Sequence, residues 1–266
     1  MTAVPALLGE MGWWQVRDHM AMAKLNYAGR LKFAEVNMWC KLAWMEGLQK
    51  FQGHTSWWKE VFRVAVKYGV NLMEEAQSQN SWKAYVRKCM DASITQRWKN
   101  QVEEKSSLMY YSVKEELRAE KYHSGDWESI LCARARCGQL DLKSKVYRWQ
   151  GGDRSCPVCL ADEEDLEHFM AVCPAYSKPR QVLLEQLEDI WGIEEMDRWR
   201  DEGNVMRIAW VLGFRGEVQE RQWQAVKEFV REAWQTRMDV LEDKGVHIEM
   251  EDEDVPEDWA GYCKLV

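Results

Sequence analysis

Proline is absent from Ala6 to Cys156, and this absence restricts the possible folds more than any other feature of the chain. The five prolines stand at positions 5, 157, 174, 179 and 256. Proline breaks a helix because it lacks a backbone N–H and clashes with the preceding turn, so a long stretch without it favours helix. No strand ladder and no internal repeat is evident in the sequence. The sequence therefore predicts a mainly α protein, an irregular assembly of several helices with one small cysteine-rich insertion.

Helix caps and apolar periodicity locate several of these helices. One is predicted from Ser56 to Gly69, a second begins near Asn80, and a third begins near Ser107. After the cysteine-rich stretch, residues 177–192 predict a helix with Pro179 in its first turn, and residues 215–245 predict a longer one. Tryptophans at helix-periodic positions predict core packing for Trp44, Trp82, Trp98, Trp210, Trp223 and Trp234.

The charge of the chain is divided unevenly between its two halves. The formal net charge is −8, but residues 1–150 carry 23 Lys and Arg against 16 Asp and Glu, a net of +7. Residues 151–266 carry 13 against 28, a net of −15. Only the first half has a charge suited to a nucleic-acid partner.

No apolar run is long enough for a membrane span, and the start lacks the pattern of a secretory signal, so we expect an intracellular protein, nuclear or cytoplasmic.

Four regions are predicted along the chain. Residues 1–125 form a helical region, and residues 126–180 combine a basic helix with the cysteine-rich insertion. Residues 181–243 form the C-terminal helices, and residues 244–266 are predicted to be an acidic, mobile tail.

The insertion has the residue types and spacing of a metal site. Its potential ligands are Cys156, Cys159, His168 and Cys173, with two, eight and four residues between them. A Cys-x2-Cys turn can place two sulfurs on one tetrahedron, and a short helix carrying the histidine and third cysteine can complete it. Three thiolates and one imidazole suit a single structural Zn²⁺ ion, so the fold class includes one zinc knuckle. The five carboxylates at 162–165 and 167 are interpreted as a solvated face.

Ordinary reduced cysteines are the alternative interpretation of the same stretch. Apolar residues such as Leu166 and Phe169 could form a small core without metal. A loop of this length has few apolar contacts with which to order itself, which favours the metal. Cys132 and Cys137 have no partner pair nearby and are interpreted as packed or unligated thiols.

The order of several segments resembles one family. The segments are "GEMGWWQVRDHMAMAKLNYAGRL", "SWWKEVF", "RWKNQVEEKSSLMYYSVKEEL", "LCARARCGQLDLKSKVYRW", "CPVCLADEEDLEHFMAVCPAY" and "EFVREAWQTRMDVL". Together they resemble the region that follows the polymerase in LINE-type (non-LTR) retrotransposon reverse transcriptases, over about residues 6 to 243. The family's "ECPxY" ending has Val172 in place of glutamate, and its "RxRxG" appears as "RARCG".

The resemblance implies a zinc-binding module that helps to hold template RNA or target DNA while a polymerase copies. The ligands carried over are Cys156, Cys159, His168 and Cys173, and a reverse transcriptase core is an implied partner. The paired-aspartate polymerase signature is absent from this sequence, and no endonuclease or RNase H constellation can be assembled. We therefore expect no enzymatic activity from this chain.

A basic stretch before the knuckle is the predicted contact with RNA or single-stranded DNA. Its residues are Arg134, Arg136, Lys143, Lys145, Arg148 and Trp149. The five cations suit phosphate contacts, and the tryptophan could stack on an unpaired base. The alternative is a helical protein-interaction scaffold, or a decayed fragment of an element, in which the zinc is purely structural. An exposed basic stripe beside the knuckle would favour nucleic acid, and dispersal of the cations into ion pairs would favour the scaffold.

Overall fold

The computed structural model describes residues 3–34, 38–50, 56–150 and 152–244, with the backbone alone at 48–50, 56 and 148–150. The predicted mainly α fold is confirmed. The helices in chain order are α1 (Val4–Met11), α2 (Val16–Lys32), α3 (Met38–Lys50), α4 (Ser56–Tyr68), α5 (Gln79–Glu103), α6 (Trp127–Arg136), α7 (Lys143–Gln150), α8 (Ser177–Trp191), α9 (Ile193–Asp201), α10 (Asn204–Val211) and α11 (Glu220–Asp243). Within the described ranges, β pairing is limited to two isolated bridges, Met11 with Ala119 and Ser155 with Glu163.

Local signals fix the ends of several helices. Helix α5 begins with a capping box, in which the Ser78 hydroxyl accepts from the Ser81 backbone N–H and the Ser81 hydroxyl accepts from that of Ser78. Helix α4 ends where Gly69 adopts φ +66°, a conformation that favours glycine at a helix C-terminus. The helix predicted near Ser107 was wrong: residues Ser106–Val113 form a 3₁₀ helix with a kink at Leu108, and the next helix begins only at Trp127.

Two hydrophobic cores share helix α5. The first core is built from α2, α3, α4 and the N-terminal part of α5, and it contains the fully buried Trp82. The second core contains Trp98 and Val102 from the end of α5, together with α1, the 3₁₀ segment, α6 and the C-terminal helices. A single 25-residue helix therefore connects both cores. The predicted core packing is confirmed for Trp44, Trp82, Trp98, Trp210, Trp223 and Trp234, all of which are buried. The division of the chain into the four predicted regions stays a prediction.

The second core positions the cysteine-rich insertion. Helix α11 packs against α6 and α8, and its buried face carries Trp223, Val226, Val230 and Trp234. Phe169, from the insertion, lies 6.2 Å from the rings of both Phe229 and Trp234, measured between centroids. The insertion therefore rests on α11 and is part of the second core.

Candidate metal centre

A short hairpin forms the first half of the centre. Ser155 pairs with Glu163, and the Cys156 backbone N–H donates to the Asp162 carbonyl at 2.8 Å. The turn closes where the Leu160 N–H donates to the Cys156 carbonyl at 2.9 Å. Leu160 has φ +63°, the only non-glycine residue in the left-handed region among the described residues. This tight turn brings the sulfur atoms of Cys156 and Cys159 to the same side of the hairpin.

A π-helical turn supplies the other two ligands. It spans His168–Val172, and the Cys173 backbone N–H donates to the His168 carbonyl at 2.8 Å. In an α-helix, residues five apart point about 140° away from each other, because each residue turns the chain by about 100°. The wider i→i+5 turn reduces this divergence. The Asp165 carboxylate accepts from the His168 N–H at 2.7 Å and so fixes the start of the turn.

The four potential ligand atoms converge. The sulfurs of Cys156, Cys159 and Cys173 and a ring nitrogen of His168 all lie within 4.8 Å of one another. The Cys156 and Cys173 sulfurs are 3.9 Å apart, and the Cys159 sulfur is 3.3 Å from His168 Nε2. A tetrahedral zinc ion with Zn–S of about 2.3 Å and Zn–N of about 2.0–2.1 Å requires separations of about 3.8 Å and 3.5 Å. The cluster therefore has the dimensions of one four-coordinate metal ion, and the predicted ligand set lies together.

Backbone N–H groups near the sulfurs favour the thiolate forms. Those of Val158 and Cys159 act to lower the pKa of Cys156, those of Ala161 and Asp162 that of Cys159, and that of Ala175 the pKa of Cys173. Burial raises the pKa of Cys173 to about 12, against the opposing effect of the Ala175 N–H. Burial also disfavours the Cys159 thiolate, but the Ala161 N–H, the neighbouring thiols of Cys156 and Cys173 and the Asp162 N–H together outweigh burial and lower the pKa of Cys159. A bound cation would stabilise all three thiolates, which suits a metal site better than a cluster of thiols.

A buried ion pair connects the cysteine-rich insertion, which forms the predicted zinc knuckle, to helix α11. The Glu164 carboxylate accepts from Arg237 Nε at 2.7 Å and from Arg237 Nη2 at 3.0 Å. The same carboxylate accepts from the Lys143 backbone N–H at 2.8 Å, at the first residue of α7. Its side chain is 0% exposed and that of Arg237 is 1% exposed. The knuckle, α7 and α11 therefore meet at one charged but solvent-free junction. At the other end of the hairpin, Lys244 Nζ donates to the Pro157 carbonyl at 2.6 Å.

The interpretation of the five carboxylates as a solvated face was wrong for Glu164. Asp162, Glu163 and Asp165 are exposed, whereas Glu164 is completely buried because Arg237 reaches it from α11. Glu167 is half-buried and accepts from Asn204 Nδ2 at 2.8 Å.

The predicted basic stretch does not form one exposed stripe in the described structure. Arg134 Nη1 lies 3.7 Å from the Asp141 carboxylate, and Lys145 Nζ lies 2.7 Å from it. Lys143 is half-buried and has no ion pair among the described residues. Arg148 and Trp149 belong to the end of α7, but their side chains lie outside the described part, as does the predicted acidic tail apart from Lys244.

Arg136 lies inside the second core. Its Nε donates to the Glu10 carboxylate at 2.9 Å and its Nη2 donates to Glu120 at 3.0 Å. The guanidinium carbon is 4.0 Å from the centroid of the Phe214 ring, and the side chain is 0% exposed. Arg136 therefore offers no surface to a phosphate, which corrects its predicted place in the basic interface. Its neighbours Cys132 and Ala135 are fully buried, so Arg136 stands on the apolar face of α6.

One residue of the junction, Arg237, could have been found from the sequence. Arg237 follows Val230 by seven residues and Ala233 by four, on the apolar stripe of α11. A charge on such a stripe predicts a buried partner of opposite sign. The sequence does not identify that partner, because five carboxylates stand close together in the knuckle.

No helix in the described ranges has both the length and the apolar character that a bilayer span requires. Comparison with known proteins provides no further identification. No family model matches the chain, and no curated protein and no solved structure matches it significantly. The retrotransposon resemblance therefore stays a prediction.

Proposed function

We propose that Cys156, Cys159, His168 and Cys173 bind one Zn²⁺ ion whose role is structural, and that the chain is a non-catalytic helical interaction scaffold. The convergence of four ligand atoms within 4.8 Å is the observation that carries the proposal. Four protein ligands fill a tetrahedral coordination sphere, so no position remains for water or substrate. Three sulfurs and one nitrogen favour zinc over the hard cations Mg²⁺ and Ca²⁺.

The ion would stabilise a segment that has little regular structure of its own. From Asp153 to Asp165 the chain forms one isolated bridge and several turns. Zinc links this hairpin to the π-helical turn, and Glu164 links it to Arg237 in α11. The metal thereby holds the knuckle in place on the second core, whereas the described residues of the first core, around Trp82, include none of the four ligands. We expect metal loss to affect the knuckle first.

Metal content and local protection test this proposal. Protein purified under reducing conditions should contain one zinc per chain, and Cys156→Ser or His168→Ala should lower that content. Cys40→Ser, a cysteine on α3, is the matched control and should leave it unchanged. A strong chelator should increase hydrogen exchange at residues 152–177 before it affects α2 and α5. A zinc content near zero, or uniform loss of protection over both cores, would contradict the structural role.

The burial and the existing ion pairs of the predicted basic residues favour the scaffold over a nucleic-acid interface. Arg136 is buried, and Arg134 and Lys145 share the carboxylate of Asp141. A cation that is already paired gains less from a phosphate, because the existing pair must be broken first. The proposed origin in a LINE-type reverse transcriptase and the implied polymerase partner remain parts of this proposal.

Nucleic-acid binding is a second candidate function. Three residues near the start of the hairpin favour it: Lys143, Tyr147 and Arg154. Lys143 lacks an ion pair among the described residues. The Arg154 guanidinium, which also pairs with the exposed Glu163 at 3.4 Å, lies 4.0 Å from the centroid of the Tyr147 ring. A cation beside a cation–aromatic stack suits a phosphate followed by an unpaired base. The partner would be RNA or single-stranded DNA.

Fluorescence anisotropy with a labelled single-stranded RNA, at about 0.05 and 0.2 M salt, tests this candidate. Lys143→Glu should weaken binding and reduce the slope of log affinity against log salt by about 0.7 for one lost phosphate contact. Lys88→Glu makes the same charge change at an exposed position of α5 and should have a smaller effect. Equal losses for the two variants would indicate a general charge effect, and no binding by the original protein would leave the scaffold proposal alone.

A further inference from the structure

A cavity of about 280 Å³ lies where the knuckle meets the 3₁₀ segment and the start of α7. Its lining combines apolar side chains, such as Leu140, with hydroxyl-bearing ones, such as Ser144. One wall is closely packed, because a Cβ on Gly138 would lie 2.5 Å from the Ser107 carbonyl oxygen. The end of α6 can therefore approach the 3₁₀ segment only through a glycine, and the cavity is bounded by packed elements of the second core.

Tyr110 lines this cavity with a hydroxyl that has no partner. The residue is only 5% exposed, yet its hydroxyl makes no hydrogen bond with any described residue. Burial, together with the nearby charges of Asp165 and Glu167, raises the pKa of Tyr110 to about 12, so the hydroxyl stays protonated at neutral pH. Buried hydroxyls are normally hydrogen-bonded within a protein. This one is available to a ligand instead.

Two carboxylates line the same cavity without a cation of their own. Asp165 accepts from the His168 backbone N–H through Oδ1, and Glu167 accepts from Asn204 through Oε1. The second oxygen of each carboxylate has no hydrogen bond within the described ranges, and neither side chain has an ion pair there. The cavity therefore offers free acceptors and uncompensated negative charge.

Neither the protein itself nor a divalent metal ion balances this charge. Lys145 is the cation among the lining residues, but its Nζ already pairs with Asp141 at 2.7 Å. A metal ion would need three or more converging ligands, and the described residues provide such a group only in the knuckle cluster. The remaining cations that fit are organic ammonium and guanidinium groups.

We infer that this cavity, which we call the lysine pocket, binds a lysine side chain of a partner protein; the inference rests on the proposed function as an interaction scaffold. An ammonium group donates three hydrogen bonds, and the free oxygens of Asp165 and Glu167 and the Tyr110 hydroxyl provide three acceptors. The aliphatic stem of the lysine would pack on Leu140 and Leu166. Arginine suits the pocket less, because a guanidinium binds a carboxylate best through both oxygens, and one oxygen of each is occupied.

Titration of the zinc-loaded full chain with Nα-acetyl-lysine methylamide, followed by amide NMR shifts, tests the lysine pocket. A ligand of this size should bind with a dissociation constant of about 1 mM and shift amides near Tyr110 and Glu167. The norleucine analogue keeps the stem but lacks the ammonium, and it should bind at least about tenfold more weakly. The arginine analogue should bind at least about threefold more weakly. Equal binding of either analogue, or no binding of the lysine compound at about 20 mM, would overturn the proposal.

Three variants assign the binding to the named groups. Tyr110→Phe removes only the unpartnered hydroxyl, so it should keep the fold and weaken lysine binding by about three- to tenfold. Glu167→Gln keeps an oxygen for Asn204 but removes the charge, and it should weaken binding at least about tenfold. Glu163→Gln is the matched control, because it makes the same change at an exposed carboxylate of the knuckle outside the cavity, and it should alter the affinity by less than about twofold.

Zinc content, measured on every variant, separates this proposal from that of the metal centre. A chain without zinc would contradict the metal centre. Zinc-loaded Tyr110→Phe and Glu167→Gln proteins that bind the lysine compound as tightly as the original would refute the lysine pocket alone.

Discussion

Replacing Glu164 by glutamine should cost far more stability than the same change at its neighbour Glu163. Glu164→Gln preserves the size of the side chain and one oxygen that can accept from the Lys143 N–H. It removes the charge that faces Arg237, and its new amide N–H group would point toward another donor. The Arg237 side chain is 1% exposed, so water cannot replace the lost carboxylate.

The magnitude follows from this burial. Removing one partner of a buried ion pair typically costs about 3–5 kcal/mol, because the remaining charge stays buried without compensation. Glu163 pairs with Arg154 at 3.4 Å, but their side chains are 47% and 49% exposed. Such exposed pairs contribute about 0–1 kcal/mol. Each of the two neighbouring carboxylates pairs with one arginine, but the Glu164 pair is buried and has two short hydrogen bonds, whereas the Glu163 pair is exposed and long. Burial and geometry together predict a several-fold difference in cost.

Thermal and urea unfolding of zinc-loaded protein, followed by circular dichroism, would measure both variants. A loss of about 3–5 kcal/mol corresponds to a fall in melting temperature of roughly 6–20 °C for a chain of this size. Replacing both partners, Glu164→Gln with Arg237→Met, should cost less than the sum of the single changes, with a coupling of up to about 3 kcal/mol. A loss below about 1 kcal/mol for Glu164→Gln in folded, zinc-loaded protein would refute the reasoning.

Three further changes test other parts of the fold. Leu160→Gly should stabilise the protein by about 0.5–1 kcal/mol in urea unfolding, because φ +63° is unfavourable for leucine, whereas Leu7→Gly in α1 should destabilise it. Gly29→Ala should cost about 1–3 kcal/mol, because the added Cβ would lie 2.2 Å from the buried Trp82 ring; unchanged stability would contradict this close approach. Burial disfavours the Glu10 carboxylate, but charge and hydrogen bonds from its neighbours outweigh burial and hold its pKa well below the usual range. A depressed folded-state pKa contributes stability that is present above the unfolded value and lost as pH falls, so Glu10→Gln should be most harmful near pH 7 and progressively less so from about pH 5 to 2; an unchanged difference would refute this assignment.

The sequence by itself determined the features that depend on near neighbours. Helix α4 could be bounded because the signals for its start at Ser56 and its stop at Gly69 are local in the sequence. The four residues that could hold a metal ion were recognisable because they stand within eighteen positions, where spacing restricts the possible geometry. Tryptophans on helix-periodic stripes, such as Trp82 and Trp98, were correctly predicted to be buried.

The conformation of the region after Ser106 does not follow from its local sequence. Its apolar residues suggested an α-helix, but the chain forms a 3₁₀ segment in which Tyr110 and Tyr111 are buried. The chain then runs past α1, where the Glu120 N–H donates to the Glu10 carbonyl at 2.8 Å. Contacts with α1, more than a hundred positions earlier in the chain, replaced the hydrogen bonds that an α-helix would have made.

Only the tertiary structure decided the environment of each charge. Arg134 and Arg136 stand two positions apart, yet the first is near the surface and the second is buried between Glu10 and Glu120. Glu163 and Glu164 are adjacent, yet only Glu164 meets an arginine that lies 73 positions away. The physical reason is that the energy of a charge depends on its solvation and on partners that any part of the chain can bring near. Residue type and spacing restrict the ligands of a metal within a short loop, but they do not specify which helix will cover a given carboxylate or guanidinium.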